Sequence, residues 1–319
     1  MGEMFAGNRV IAHTGAKYPI IQAPMSWIAR AQLASAVSAA GGTGLLETGS
    51  VVLEAISREF DLIRTATDRP FGVNLPILYL KARPEIESAI INFITERGAS
   101  FVTTSAGDPR RHIERLKDAG IVVYHAVPSL DMALKAEDAG VDGLIVEGVE
   151  SGGVRNPEEI GVMVLLQAVR ERTDLPIVAA GGIADGRGMA AAFALGAEGI
   201  AMGTRFVASA ESPVHLNYKE AIVRAGLDGT VVMNRPPRAK FRTLKTKATL
   251  AALEGDRSGP KPGSLIDALY IGGDVENTMG TAGQSSALIH QILPVTDIIE
   301  NTVAGFWREI DRLAALRPK

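Results

Sequence analysis

The chain has 319 residues, 46% of them hydrophobic, with no cysteine and a formal net charge of −3. That length holds one barrel-sized domain plus an appendage, with ample apolar content for a core. The composition excludes disulfides, thiolate metal sites and cysteine nucleophiles, and the charge and low aromatic content argue against nucleic acid or a membrane surface as partner.

No uncharged apolar run reaches ~18 residues, so no transmembrane helix is expected. The N-terminus, with Glu3 and no apolar stretch of secretory length, does not read as a signal peptide. A cytoplasmic protein is the expectation.

Along the chain, short β-branched or apolar runs recur at Pro19–Ala23, Thr43–Leu46, Phe71–Leu75, Ser100–Thr104, Ile121–His125, Asp142–Val146, Pro176–Ala180 and Gly199–Met202. Between them lie stretches with helical periodicity: Ala29–Ala40, Leu53–Thr65, Glu85–Arg97, Pro109–Ala119, Leu130–Ala139, Glu159–Arg172 and Asp185–Leu195. An eighth is expected at Glu211–Ala225. Several end in glycine, as in Ala119-Gly120 and Ala139-Gly140, the usual stop before the next strand. Strands alternating with helices imply parallel βαβ units. Eight units fit a (β/α)8 TIM barrel, an α/β fold, better than an open doubly wound sheet, which the pattern alone also accommodates.

The expected division is a barrel over 1–226, a mainly helical lid over 227–295 and a C-terminal helix over 296–319 that packs back on the barrel. In the lid, Arg235-Pro236-Pro237-Arg238 and Lys240–Lys247 are basic, and Leu265–Leu269 and Ser285–Leu293 look helical, as does Thr296–Leu313 in the C-terminal segment. The basic cluster is either a solvated face or a site for an anionic tail. Arg238, Lys240 and Met279 are the substrate-side candidates.

Function in such a barrel sits at the C-terminal strand ends, and phosphate sites commonly follow strands 7 and 8. Here those strands lead into Gly181-Gly182 and Gly203-Thr204. Glycine lets a ligand approach backbone N–H groups, and a following helix N-terminus adds positive potential. Two such turns suit one monophosphate. No dinucleotide fingerprint, nucleophile elbow or two-His-one-carboxylate set accompanies them.

The segment Ala180-Gly181-Gly182-Ile183-Ala184-Asp185-Gly186-Arg187-Gly188, with Met202-Gly203-Thr204-Arg205-Phe206, resembles the signature of the nitronate monooxygenase (2-nitropropane dioxygenase) superfamily. Further matches are Pro19–Met25, Ala40-Gly41-Gly42, Arg69–Asn74, Glu147–Gly153, Gly273-Asp274 and Ala282-Gly283-Gln284. Val127-Pro128-Ser129 and His215–Lys219 lean toward the FMN-dependent enoyl-acyl carrier protein reductases. The resemblance implies FMN, its phosphate on Gly182, Gly203 and Thr204, with Gly181 a further cofactor-side candidate. It puts the ring near Ala23, Pro24 and Met25, with Asn74, Glu147, Gly152, Gly153 and Gln284 nearby.

One position departs from that pattern. Relatives commonly carry Gly-Gly-His or Ala-Gly-His after strand 6, and that histidine is regarded as a catalytic acid or base. Val154 stands there in this chain, and valine moves no proton. Either His125, at the end of strand 5, takes the role, or the reaction needs no protein base, or the substrate differs.

The leading expectation is oxidation of alkyl nitronates with O2, since a nitronate is already ionised. The alternative is an NAD(P)H-dependent reductase or dehydrogenase for an enoyl thioester (enoyl-ACP or enoyl-CoA) or a quinone, with NADH or NADPH as reductant. An FMN-binding protein of degenerate chemistry is the third. A small molecule is the expected partner, with a homodimer as the candidate assembly.

Overall fold

The computed structural model describes residues 4–81, 83–155, 158–233, 240–256 and 265–317. Eight parallel strands form the main sheet: β1 (Ile20–Gln22), β2 (Leu45–Glu47), β3 (Gly72–Pro76), β4 (Phe101–Ser105), β5 (Val122–Val127), β6 (Gly143–Glu147), β8 (Ile177–Ala180) and β9 (Gly199–Met202). Their order is β1-β9-β8-β6-β5-β4-β3-β2. The ring closes between β1 and the approach to β2, where Gln22 N donates to Thr43 O at 3.0 Å and Thr43 N to Ile20 O at 2.8 Å.

Strand periodicity sorts the side chains into two cores. Ile21, Leu45, Phe101, Tyr124, Ile145, Val178, Ala180 and Ala201 fill the barrel, with Val10 of the helix Arg9–Thr14 among them. Ile20, Leu46, Val73, Val102, Val123, Leu144, Ala179 and Ile200 face outward into the layer under the helices. The connecting helices are Ala31–Ala39, Leu53–Ala66, Pro84–Glu96, Arg110–Asp118, Leu130–Asp138, Val162–Arg170, Gly186–Ala194 and Leu216–Arg224.

Two helices start three or more residues later than their periodicity suggests, and each has a local cause. The helix at 162 begins where both Glu150 carboxylate oxygens accept from Val162 N at 3.0 Å. The helix at 216 begins where His215 Nδ1 accepts from Asn217 N at 3.1 Å, after Pro213.

A second sheet, absent from the sequence reading, sits on the appendage. β7 (Gly153–Arg155), directly after β6, pairs antiparallel with β11 (Lys240–Leu244), which pairs with β10 (Thr230–Met233). Much of the basic stretch 240–247 is thus a strand. Beyond it come the helix Lys247–Leu253, a π-helical turn Leu265–Ile271 and a 3-10 turn Gln284–Leu288. The last helix, Val295–Ala314, crosses the helix Gly186–Ala194 closely. A Cβ on Gly186 would lie 2.2 Å from Phe306 N, so only glycine permits that approach.

Candidate active site

The inward-facing side chains at the C-terminal strand ends follow from the same alternation. Glu47, Asn74, Thr103, Ala126 and Glu147 share the phase of the barrel-filling residues. Register brings Glu47 beside Asn74 and Asn74 beside Thr103. Thr103 Oγ1 donates to Asn74 Oδ1 at 2.9 Å, and Asn74 is buried. With its carbonyl oxygen taken by Thr103, Asn74 keeps its NH2 for donation.

The glycine turns form a cradle. Gly181 and Gly182 take φ of 104° and 72°, a region that favours glycine. Gly181 lies against Gly148 and Ser151 of the loop after β6. A Cβ on Gly182 would meet Glu150 at 3.6 Å, and one on Gly203 would meet Ala23 Cβ and Met25 Sδ, both at 3.6 Å. The turn after β9 therefore sits beside the loop after β1. The short helix Thr204–Val207 leaves its first amides without intrahelical acceptors.

One sequence expectation is corrected here. The helix after β8 has two of its first amides already engaged, because Asp185 Oδ1 accepts from Arg187 N and Gly188 N, both at 3.0 Å. The cradle is made by the turns themselves.

The appendage meets this cradle. Gly283 N donates to Thr204 Oγ1 at 2.9 Å, and Gln284 N to Glu150 O at 2.8 Å. A Cβ on Gly152 would lie 2.8 Å from Ala282 C. Ala23, Pro24, Met25, Glu147, Gly152, Gly153, Gly181, Gly182, Gly203 and Thr204 thus gather around one mouth, with Gln284 tied to its rim by its backbone.

Other candidates fall elsewhere. His125 has the phase of Val123 and Val127, so it faces the outer layer and not the barrel. It is 1% exposed, and its Nδ1 lies 2.7 Å from Thr104 Oγ1. Burial pushes its pKa down to about 4, against the upward pull of Asp108 and nearby backbone groups. The expectation that His125 moves a proton for a substrate in the mouth is corrected by that placement. Lys240 Nζ pairs with Glu159 Oε2 at 2.8 Å. Met279 is half-buried, between Thr278, whose carbonyl takes Thr246 Oγ1, and Gly280, whose carbonyl takes Leu244 N. Arg235, Pro236, Pro237 and Arg238 lie outside the described residues. Val154 is half-exposed and stands opposite Phe241 in the second sheet.

Sequence reasoning missed Glu47. Its carboxylate accepts from Trp27 N at 3.0 Å and from Gly49 N at 2.6 Å. Burial pushes its pKa up, and those two donors and Arg30 oppose the shift. Trp27 has φ of 67°, which costs a non-glycine residue roughly 1–2 kcal/mol. Its ring stacks on Tyr270, centroids 5.3 Å apart, and Tyr270 stacks on Tyr218 at 5.8 Å.

The nitronate monooxygenase family model matches residues 8–305. The chain belongs to the nitronate monooxygenase family. The chain is 36% identical to an octahydroindene-carboxyl-CoA dehydrogenase of Rhodococcus jostii, over 95% of this chain and 96% of that protein. It is 34% identical to a probable nitronate monooxygenase of Staphylococcus saprophyticus, over 72% and 76%. FabK from Thermotoga maritima superimposes with a TM-score of 0.89 at 38% identity, covering 97% of this chain and 99% of that one. As a nitronate monooxygenase family member this chain is an oxidoreductase. Among the described residues no group of three or more His, Asp or Glu is placed to hold a metal ion, and no helix is long and apolar enough to cross a membrane.

Proposed function

We propose that this oxidoreductase uses FMN bound at the barrel mouth and oxidises alkyl nitronates with O2. The phosphate would sit on Gly181, Gly182, Gly203 and Thr204, where the three glycines put no side chain between a ligand and the backbone. Ala23, Pro24 and Met25 would border the ring, with Asn74, Glu147, Gly152 and Gly153 beside it. One phosphate cradle without a dinucleotide site supports FMN over FAD. When bound, the flavin supplies a two-electron acceptor. The chain's own part is to hold it, to present the Asn74 amide, and to shelter the mouth with the segment at Ala282–Gln284.

The observation that carries the substrate reading is the lack of an imidazole among the inward-facing strand-end residues. Val154 replaces the usual histidine, and His125 faces the other way. A neutral nitroalkane must first lose a carbon proton, and among the described residues no inward-facing strand end carries a histidine to take it. An already ionised nitronate needs no such step.

A second reading has its own support. The Rhodococcus relative is named for a CoA thioester and spans nearly the whole chain, and FabK matches over a comparable length. Under that reading the flavin exchanges electrons between NADH or NADPH and an acyl thioester. Anaerobic mixing of FMN-loaded protein with a preformed nitronate, the neutral nitroalkane, NADH and NADPH separates the two. Bleaching of the flavin by nitronate supports the first reading. Bleaching by a nicotinamide alone, reversed by an enoyl-CoA, moves the assignment to the second. No bleaching by any of them refutes both.

A further inference from the structure

We propose that Glu47 is a positioning residue that holds the loop after β1 in its flavin-facing shape, acting through Trp27. The inference rests on the FMN reading above. It concerns a residue that neither the family resemblance nor the glycine turns single out.

The loop from Ala23 to Ala29 is fixed on three sides. At its start, Ala23 N donates to Met202 O at 2.9 Å. In the middle, Trp27 N donates to Glu47 Oε1, and the Trp27 ring lies on Tyr270 of the appendage. At its end, Ala29 O accepts from Glu47 N at 2.9 Å. Glu47 therefore grips the loop with both its backbone and its side chain, from the neighbouring strand end.

The carboxylate suits that task for a stereochemical reason. Its two oxygens accept from two different backbone amides, Trp27 and Gly49. A glutamine offers one oxygen and would turn an NH2 against the other amide. The left-handed backbone at Trp27 persists only where its surroundings over-determine it, and here the Glu47 bond and the Tyr270 stack do so. Pro24 and Met25, the residues proposed to border the flavin, lie between the anchor at Ala23 and the grip at Trp27. With both oxygens engaged by N–H donors, Glu47 is better placed to orient the loop than to hand over a proton.

The chain has two tryptophans, Trp27 and Trp307, so Trp307→Phe leaves Trp27 as the only tryptophan emitter. In that background, Glu47→Ala, Glu47→Gln and Tyr270→Ala are compared as FMN-free protein and in FMN titrations followed by flavin fluorescence. Glu47→Ala should red-shift Trp27 emission and weaken FMN binding about tenfold. Glu47→Gln, which keeps one acceptor, should fall between Glu47→Ala and wild type on both readouts. Tyr270→Ala should reproduce the emission change from the other side of the ring.

A proton-donor role predicts instead that Glu47→Gln and Glu47→Ala bind FMN like wild type. FMN binding by Glu47→Ala within twofold of wild type, with unchanged Trp27 emission, overturns the inference alone. A wild-type protein that binds no FMN overturns the cofactor reading and this inference together.

Discussion

Replacing His125 with alanine separates a structural histidine from a catalytic one, through the dependence of stability on pH. The imidazole is 1% exposed, and burial holds its pKa at about 4, down from 6.5. The folded state therefore prefers the neutral ring and binds fewer protons than the unfolded chain between those values. Stability from this group is complete above pH 6.5 and is lost as pH falls toward 4. Between pH 7 and pH 5 the wild type should lose about 2 kcal/mol through His125 alone.

Truncation adds a pH-independent cost. Removing a buried ring leaves a cavity worth about 2–4 kcal/mol. Thr104 Oγ1 keeps only its 3.5 Å contact with Tyr124 O. At pH 7 the variant should be less stable by about that amount, and at pH 5 the gap should narrow by about 2 kcal/mol. Urea unfolding of both proteins at the two pH values, followed by far-ultraviolet circular dichroism, measures it. Turnover at pH 7 should stay within a few-fold of wild type. A gap independent of pH, or a loss of turnover near the roughly 100-fold expected of an acid–base residue, would refute the placement of His125.

Gly182→Val should weaken FMN binding by at least about tenfold, because a β-branched residue resists φ of 72° and fills the cradle. Thr204→Val should also weaken it, by freeing Gly283 N from its acceptor; Thr204→Ser should restore it, and an equal loss in both variants would deny the hydroxyl that role. Gly152→Ala should lower the thermal midpoint by a few degrees, about 1–3 kcal/mol, since its Cβ would strike the Ala282 backbone; an unchanged midpoint would mean that the contact is slack. Val154→His should raise oxidation of a neutral nitroalkane relative to its nitronate by about 100-fold or more, measured as oxygen uptake; no gain would mean that the missing histidine does not limit the chemistry.

The barrel was legible because parallel strands buried on both faces read as short apolar runs. Gly199–Met202 carries the same bounds in the sequence and in the structure. The same burial hid the facing of His125. With both sheet faces apolar, hydrophobicity alone cannot tell the phase of Tyr124 from that of His125; only the register of the closed ring does. β7 was illegible for another reason. It is three residues long and contains a glycine, and it is a strand only because β11, more than eighty residues later, pairs with it. The basic residues of β11 read as a solvated run until that pairing is known.

At the site, the glycine turns were legible because few residues tolerate such backbone. Glu47 was not, because a lone glutamate after two leucines carries no signature, and its partners are backbone amides in another loop. The Asp185 cap did leave a signal. Aspartate just before Gly186-Arg187-Gly188 is a helix start, and its side chain engages the Arg187 and Gly188 amides.

The central claim is that the mouth between the turns after β8 and β9 and the loop after β1 binds one FMN. The most direct measurement is calorimetric titration of flavin-free protein with FMN and, separately, with FAD and riboflavin. The account predicts one FMN per chain, with riboflavin weaker by the phosphate contribution and FAD weaker than FMN. Riboflavin binding as tightly as FMN would contradict the phosphate cradle, and no binding of any flavin would contradict the account as a whole.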